Sequence, residues 1–160
     1  MRIRDDSTGR DPHDRELVPL LARFDPGIRT LVRDARRRLR RRLPTAIELV
    51  YDSARRLAIG FAASERACDM IVSIVIDPRG VTLCFPNGAG LHDPCDLLMG
   101  RGNRRVIRLE SAARLDEPDV AALVTAAIAA SDVRLPGSGR GRLVIKSISP
   151  RQSRGAQRRI

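Results

Sequence analysis

The chain has 160 residues, of which 42% are hydrophobic and 31% charged, and its formal net charge is +11. That length supports one hydrophobic core, and a cationic surplus of this size favours anionic partners. With 2% aromatics and no tryptophan, the stacking platforms that hold single-stranded nucleic acid are scarce, and no uncharged apolar run is long enough to span a bilayer.

Residues 1–13 mix both charge signs with Gly and Pro, have no apolar signal segment, and read as a flexible lead-in. Leu17, Leu20, Leu21 and Phe24 then recur at helical spacing. Pro19 leaves the start of that helix open, because it cannot donate an interior hydrogen bond. Asp25-Pro26 is a helix start, a cap residue followed by proline at the first helical position. The spacing predicts one helix over 26–42, with Ile28, Leu31, Val32, Ala35, Leu39 and Leu43 forming its apolar stripe. Arg29, Arg33, Arg36, Arg37, Arg40 and Arg41 fall on the other faces, while Arg38 and Arg42 flank the stripe. A disordered basic arm would keep no such stripe.

From about residue 47 the period shifts toward two. "IELVY" and "RLAIGFAAS" alternate as strands do. "MIVSIVI" is nearly all apolar and reads as a central strand. "DPRG" at 77–80 fits a turn with proline second and glycine last, so "VTLCF" completes a hairpin. A long Gly/Pro loop covers 86–103, followed by the strand candidate "RRVIRLE". Asp116 is expected to cap a helix with an apolar face of Val120, Leu123, Val124, Ala127 and Ile128. Residues 134–141 read as a linker, "RLVIKSIS" as a last strand, and 150–160 as a basic tail. The expected architecture is α+β: a single domain over 14–149, with an antiparallel sheet flanked by N-terminal helices and one C-terminal helix.

Several stretches together resemble the YdhG-like family of small bacterial proteins, a family defined by sequence rather than by activity. They are "ELVYD" at 48–52, "AIGF" at 58–61, "SERACD" at 64–69, "LHDPCDLLMGRGNRRVIRLESA" at 91–112 and "RLVIKSIS" at 142–149. The resemblance covers roughly residues 18–149 and implies a helix-flanked antiparallel sheet. Distant members resemble frataxin and are linked to iron delivery, a role that relies on an acidic ridge along the first long helix. Here the corresponding helix carries eight arginines and one acid, Asp34, whereas hard cations prefer clustered carboxylates.

The candidate chemistry is sparse. There are two histidines, His13 in the lead-in and His92 beside Asp93, and no nucleophile with a partnering base stands out. Cys84, His92 and Cys95 could meet as soft metal ligands, but a fourth is not evident unless Asp93 or Asp96 serves. Three cysteines with no C-x-x-C pair indicate neither a disulfide framework nor a zinc ribbon. "GRGNRR" offers an anion site: Gly100 and Gly102 permit backbone N–H groups to converge, Asn103 lies between, and Arg101, Arg104 and Arg105 add charge. The alternative is a glycine turn with solvated arginines. Arg33, Arg37, Arg40 and Arg41 are candidate polyanion contacts, against the alternative of a solvated face. The resulting expectation is a cytoplasmic, non-enzymatic domain without cofactor or bound metal. It would bind a small anionic ligand or a protein partner, or associate weakly with nucleic acid irrespective of sequence, and it would not engage membrane.

Overall fold

The computed structural model describes residues 13–147; the expected lead-in up to residue 12, the last two residues of the expected final strand (148–149) and the expected tail over 150–160 lie outside the described residues. Helix α1 spans Asp14–Leu21 and includes Pro19, with Leu17 and Leu21 turned into the core. Helix α2 spans Pro26–Arg42: Asp25 holds an extended backbone and Pro26 takes the first helical position, as its fixed φ favours. Val32, Ala35 and Leu39 of α2 are buried, and Ile28 and Leu31 pack at the margin. The remaining elements are β1 (Ile47–Asp52), β2 (Leu57–Ala62), β3 (Met70–Asp77), β4 (Gly80–Phe85), β5 (Arg105–Leu109), α3 (Pro118–Ala129) and β6 (Leu143–Ser147), with short 3-10 turns between some of them.

The six strands form one sheet in the order β5-β4-β3-β2-β1-β6. β1 to β5 are an antiparallel meander. The chain then returns across the sheet through α3, and β6 pairs with β1 in parallel, Val50 opposite Ile145. The class is therefore α+β, as expected. The parallel pairing of the last strand is not written in its own composition, because it depends on the long crossover through α3 that precedes it.

Register builds the core directly. Val50, Ile59, Ile74, Leu83 and Ile107 lie side by side across five strands, and all belong to one buried cluster with residues from the three helices. The neighbouring row on the other face is Leu49, Gly60, Ser73, Cys84 and Val106. β3 is buried from Ile71 through Ile76, which explains why its run is apolar but for Ser73. No helix among the described residues is long and apolar enough to cross a membrane.

Two expectations fail in detail. Asp116 does not cap α3. It ends a 3-10 turn over Ala112–Asp116, and Glu117 is the residue before Pro118. The Pro rule applies one residue later than the capping rule suggests, and Asp116 instead binds Arg38 of α2 at 2.8 Å. The second failure concerns Arg36 and Arg40. Arg36 is buried, on the same side as Val32 and Leu39, which are four residues before it and three after it. Charge alone would turn it outward. It turns inward because β1 places Glu48, fully buried, against it.

Candidate functional site

The buried charges come first, because they decide which arginines remain available. Glu48 Oε2 accepts from Arg36 Nε at 2.7 Å, and Oε1 accepts from Arg36 Nη2 at 3.1 Å. Arg40 Nη1 lies 3.0 Å from the same Oε1. Arg40 also donates to the carbonyls of Ala46 and Gly141, at 3.1 and 2.6 Å, and Arg36 binds Asp14 of α1. This network joins α1, α2, β1 and the approach to β6. Gly141 is required there: a Cβ would come within 1.6 Å of the Ala46 carbonyl oxygen. Arg40, expected as a polyanion contact, is thus an internal clasp. Arg42 is similarly employed, donating to the Ala121 carbonyl and to Thr125 of α3.

Arg33, Arg37 and Arg41 remain outward. They are spaced four residues apart on α2, so their side chains leave one face about 6 Å apart along the axis. Arg37 has Asp34 at 3.6 Å, with both groups well exposed. At that exposure the pair is loosely held and salt-screened. A row of outward guanidinium groups on a rigid helix can meet successive anionic groups without any change of fold.

The 100–105 segment is fastened from within. Met99 and Val106 exchange backbone hydrogen bonds at 2.9 Å, which closes the loop. Gly100 and Gly102 have φ of 110° and 68°, the region that glycine tolerates best. Arg105 donates to the carbonyls of Gly102 and Gly100, at 2.9 and 3.0 Å. Arg104 donates to Cys84 Sγ at 3.1 Å. The Asn103 carbonyl accepts from Ala89 N at 3.0 Å. Two of the three arginines are therefore turned to the protein, and Arg101 alone of the three forms no such bond among the described residues.

The soft-ligand set does not assemble. Cys84 is buried on β4, whereas His92, Asp93 and Cys95 line a concavity of about 170 Å³ against Asp119 of α3. No group of three or more His, Cys, Asp or Glu side chains with metal-binding geometry occurs among the described residues. Asp93 is occupied, accepting from the backbone of Leu97 and Leu98. The Cys95 thiol is pushed above its ordinary pKa, first by its hydrogen bond to the Asp119 carboxylate and then by that group's charge, with a smaller contribution from Asp93.

No family model, curated protein or solved structure matches this chain. Two further hollows lie on the surface of the described residues. Near the C-terminal end of α3, Asp69, Phe85, Asn87 and Leu91 line a cavity of about 60 Å³. That volume is well below the usual range of small-molecule sites. A depression of about 710 Å³ lies at the opposite end of the sheet, around the β3–β4 turn. It gathers Arg23, Arg55, Arg79 and Arg108, four residues too scattered in sequence for any local motif to reveal.

Proposed function

We propose that this chain is a non-enzymatic binding domain for anionic partners, related to the YdhG-like proteins, with the outer face of α2 as its polyanion contact surface. The observation that carries the reading is the row Arg33, Arg37 and Arg41. These groups stand on a helix whose opposite face is locked into the core, so the surface is preorganised. Contact would be to phosphates, which position a protein on a duplex but carry no sequence readout.

The setting of Cys95 fits a non-enzymatic role. A nucleophilic cysteine needs a lowered pKa, and Cys95 is shifted the other way by Asp119. The iron-delivery role of frataxin-like proteins has little to rest on here, because α2 offers arginines where that role needs carboxylates. The three cysteines are unpaired, which suits a reducing, cytoplasmic setting.

The test is fluorescence anisotropy of a labelled DNA duplex titrated with the protein from low to physiological salt. Weak binding, insensitive to sequence and falling steeply with salt, is expected. Absence of binding at low salt would leave the arginines as a solvated face, and a salt-insensitive, sequence-selective complex would point to a different recognition surface.

A further inference from the structure

The arginine-rimmed depression is built by four separate parts of the chain. Arg23 precedes α2, Arg55 lies in the β1–β2 connection, Arg79 in the β3–β4 turn and Arg108 on β5. Side chains from four elements meet at one place only through the tertiary fold, so this is not a charge run that happens to be solvated. Two of the four are held in position. Arg23 donates to Asp52 at 2.7 Å and to the Ser53 carbonyl at 2.9 Å, and its guanidinium lies 4.9 Å from the centre of the Phe24 ring. Arg108 Nη2 donates to the Arg79 carbonyl at 2.8 Å. Arg55 and Arg79 are exposed, and their side chains form no hydrogen bond or ion pair among the described residues.

The floor and the remaining rim narrow the ligand. Phe24, Ile28 and Ile76 supply apolar surface. Asp25 and Asp77 are the acids of the lining, so four arginines against two aspartates leave it at +2. Asp77 Oδ1 accepts from Arg79 N at 2.8 Å, and a carboxylate keeps further acceptor capacity. Asp25 makes no capping bond with its side chain. The α2 N-terminus opens beside it, adding a positive dipole end to the same space. The depression is broad and open, with a volume of about 710 Å³, large enough to seat a mononucleotide without enclosing it. The lining therefore combines forked cations for a phosphate, an apolar surface with a stacked guanidinium for a ring, and two carboxylates for hydroxyl or amino donors.

We infer that this depression binds a phosphate ester of mononucleotide size, with its phosphate toward Arg55, Arg79 and Arg108 and its ring toward Arg23 and Phe24. The site is separate from the outer face of α2, so it stands or falls independently of duplex binding. Isothermal titration calorimetry on the full chain with AMP, adenosine and pyrophosphate tests it. AMP should bind more tightly than either of the other two, because only AMP carries both phosphate and ring. Arg55→Ala and Arg79→Ala should each weaken AMP about tenfold, the effect of removing one charge-assisted hydrogen bond. Both side chains are exposed and make no hydrogen bond or ion pair among the described residues, so folding should survive, and an unchanged circular dichroism melt is the control. Arg33→Glu on α2 should leave AMP affinity unaltered. Failure of AMP to bind at millimolar concentration, equal binding of adenosine or pyrophosphate, or full affinity in the Arg55 and Arg79 variants would overturn the assignment.

Discussion

At the residue scale, the arginines divide by what opposes them. Arg36 and Arg40 face a buried carboxylate; Arg33, Arg37 and Arg41 face solvent. Glu48→Ala would leave two guanidinium groups inside the protein without their shared counter-charge. It is expected to cost about 3–5 kcal/mol, measured by urea denaturation, whereas Arg33→Ala should stay within about 0.5 kcal/mol of the parent. Comparable stability of the two variants would mean that the Glu48 network contributes nothing. The thiols yield a second expectation. Asp119 and Asp93 raise the Cys95 pKa, so less thiolate forms at a given pH. Asp119→Asn should lower that pKa and speed alkylation of Cys95 by iodoacetamide at mildly alkaline pH, read by mass spectrometry. An unchanged rate would remove Asp119 as the cause. Helical period alone puts Arg36 beside Val32 and Leu39. What the sequence does not display is the partner: Glu48 sits twelve residues away, and nothing local announces that β1 turns it toward α2.

At the element scale, most boundaries are legible because each has a local cause. Asp25-Pro26 starts α2, the alternation of "VTLCF" with the "DPRG" turn gives the β3–β4 hairpin, and an apolar run marks β3 as interior. Two features resist for a shared reason. The parallel seat of β6 beside β1 and the closure of the 99–106 loop both depend on residues distant in sequence or on carbonyls that composition does not display. Of the expected anion loop, Gly100 and Gly102 take the positive φ that motivates it, but Arg105 fills the loop from inside. The stripe of α2 makes a quantitative claim. Leu39 is 1% exposed, so Leu39→Ala should cost about 2–5 kcal/mol, checked by chemical denaturation. A change below about 1 kcal/mol, on the order expected of a surface site, would contradict the packing of α2 on the sheet.

At the scale of the whole molecule, the chain carries a surplus of +11, and among the described residues its arginines form an internal clasp, an outward row on α2 and a ring around the hairpin-end depression. The surplus and the α2 row are visible in the sequence, but not the ring, whose members are spread from residue 23 to residue 108. The central claim is that the outer row of α2 contacts polyanions while its inner arginines hold the fold. The decisive measurement compares the salt dependence of duplex affinity in the parent and in Arg33→Glu/Arg37→Glu/Arg41→Glu, a combination that spares Arg40 because a carboxylate there would face Glu48. The slope of log affinity against log salt should become shallower by up to about 3, close to one for each phosphate no longer neutralised, with thermal stability nearly unchanged. An unaltered slope in a folded variant would contradict the claim.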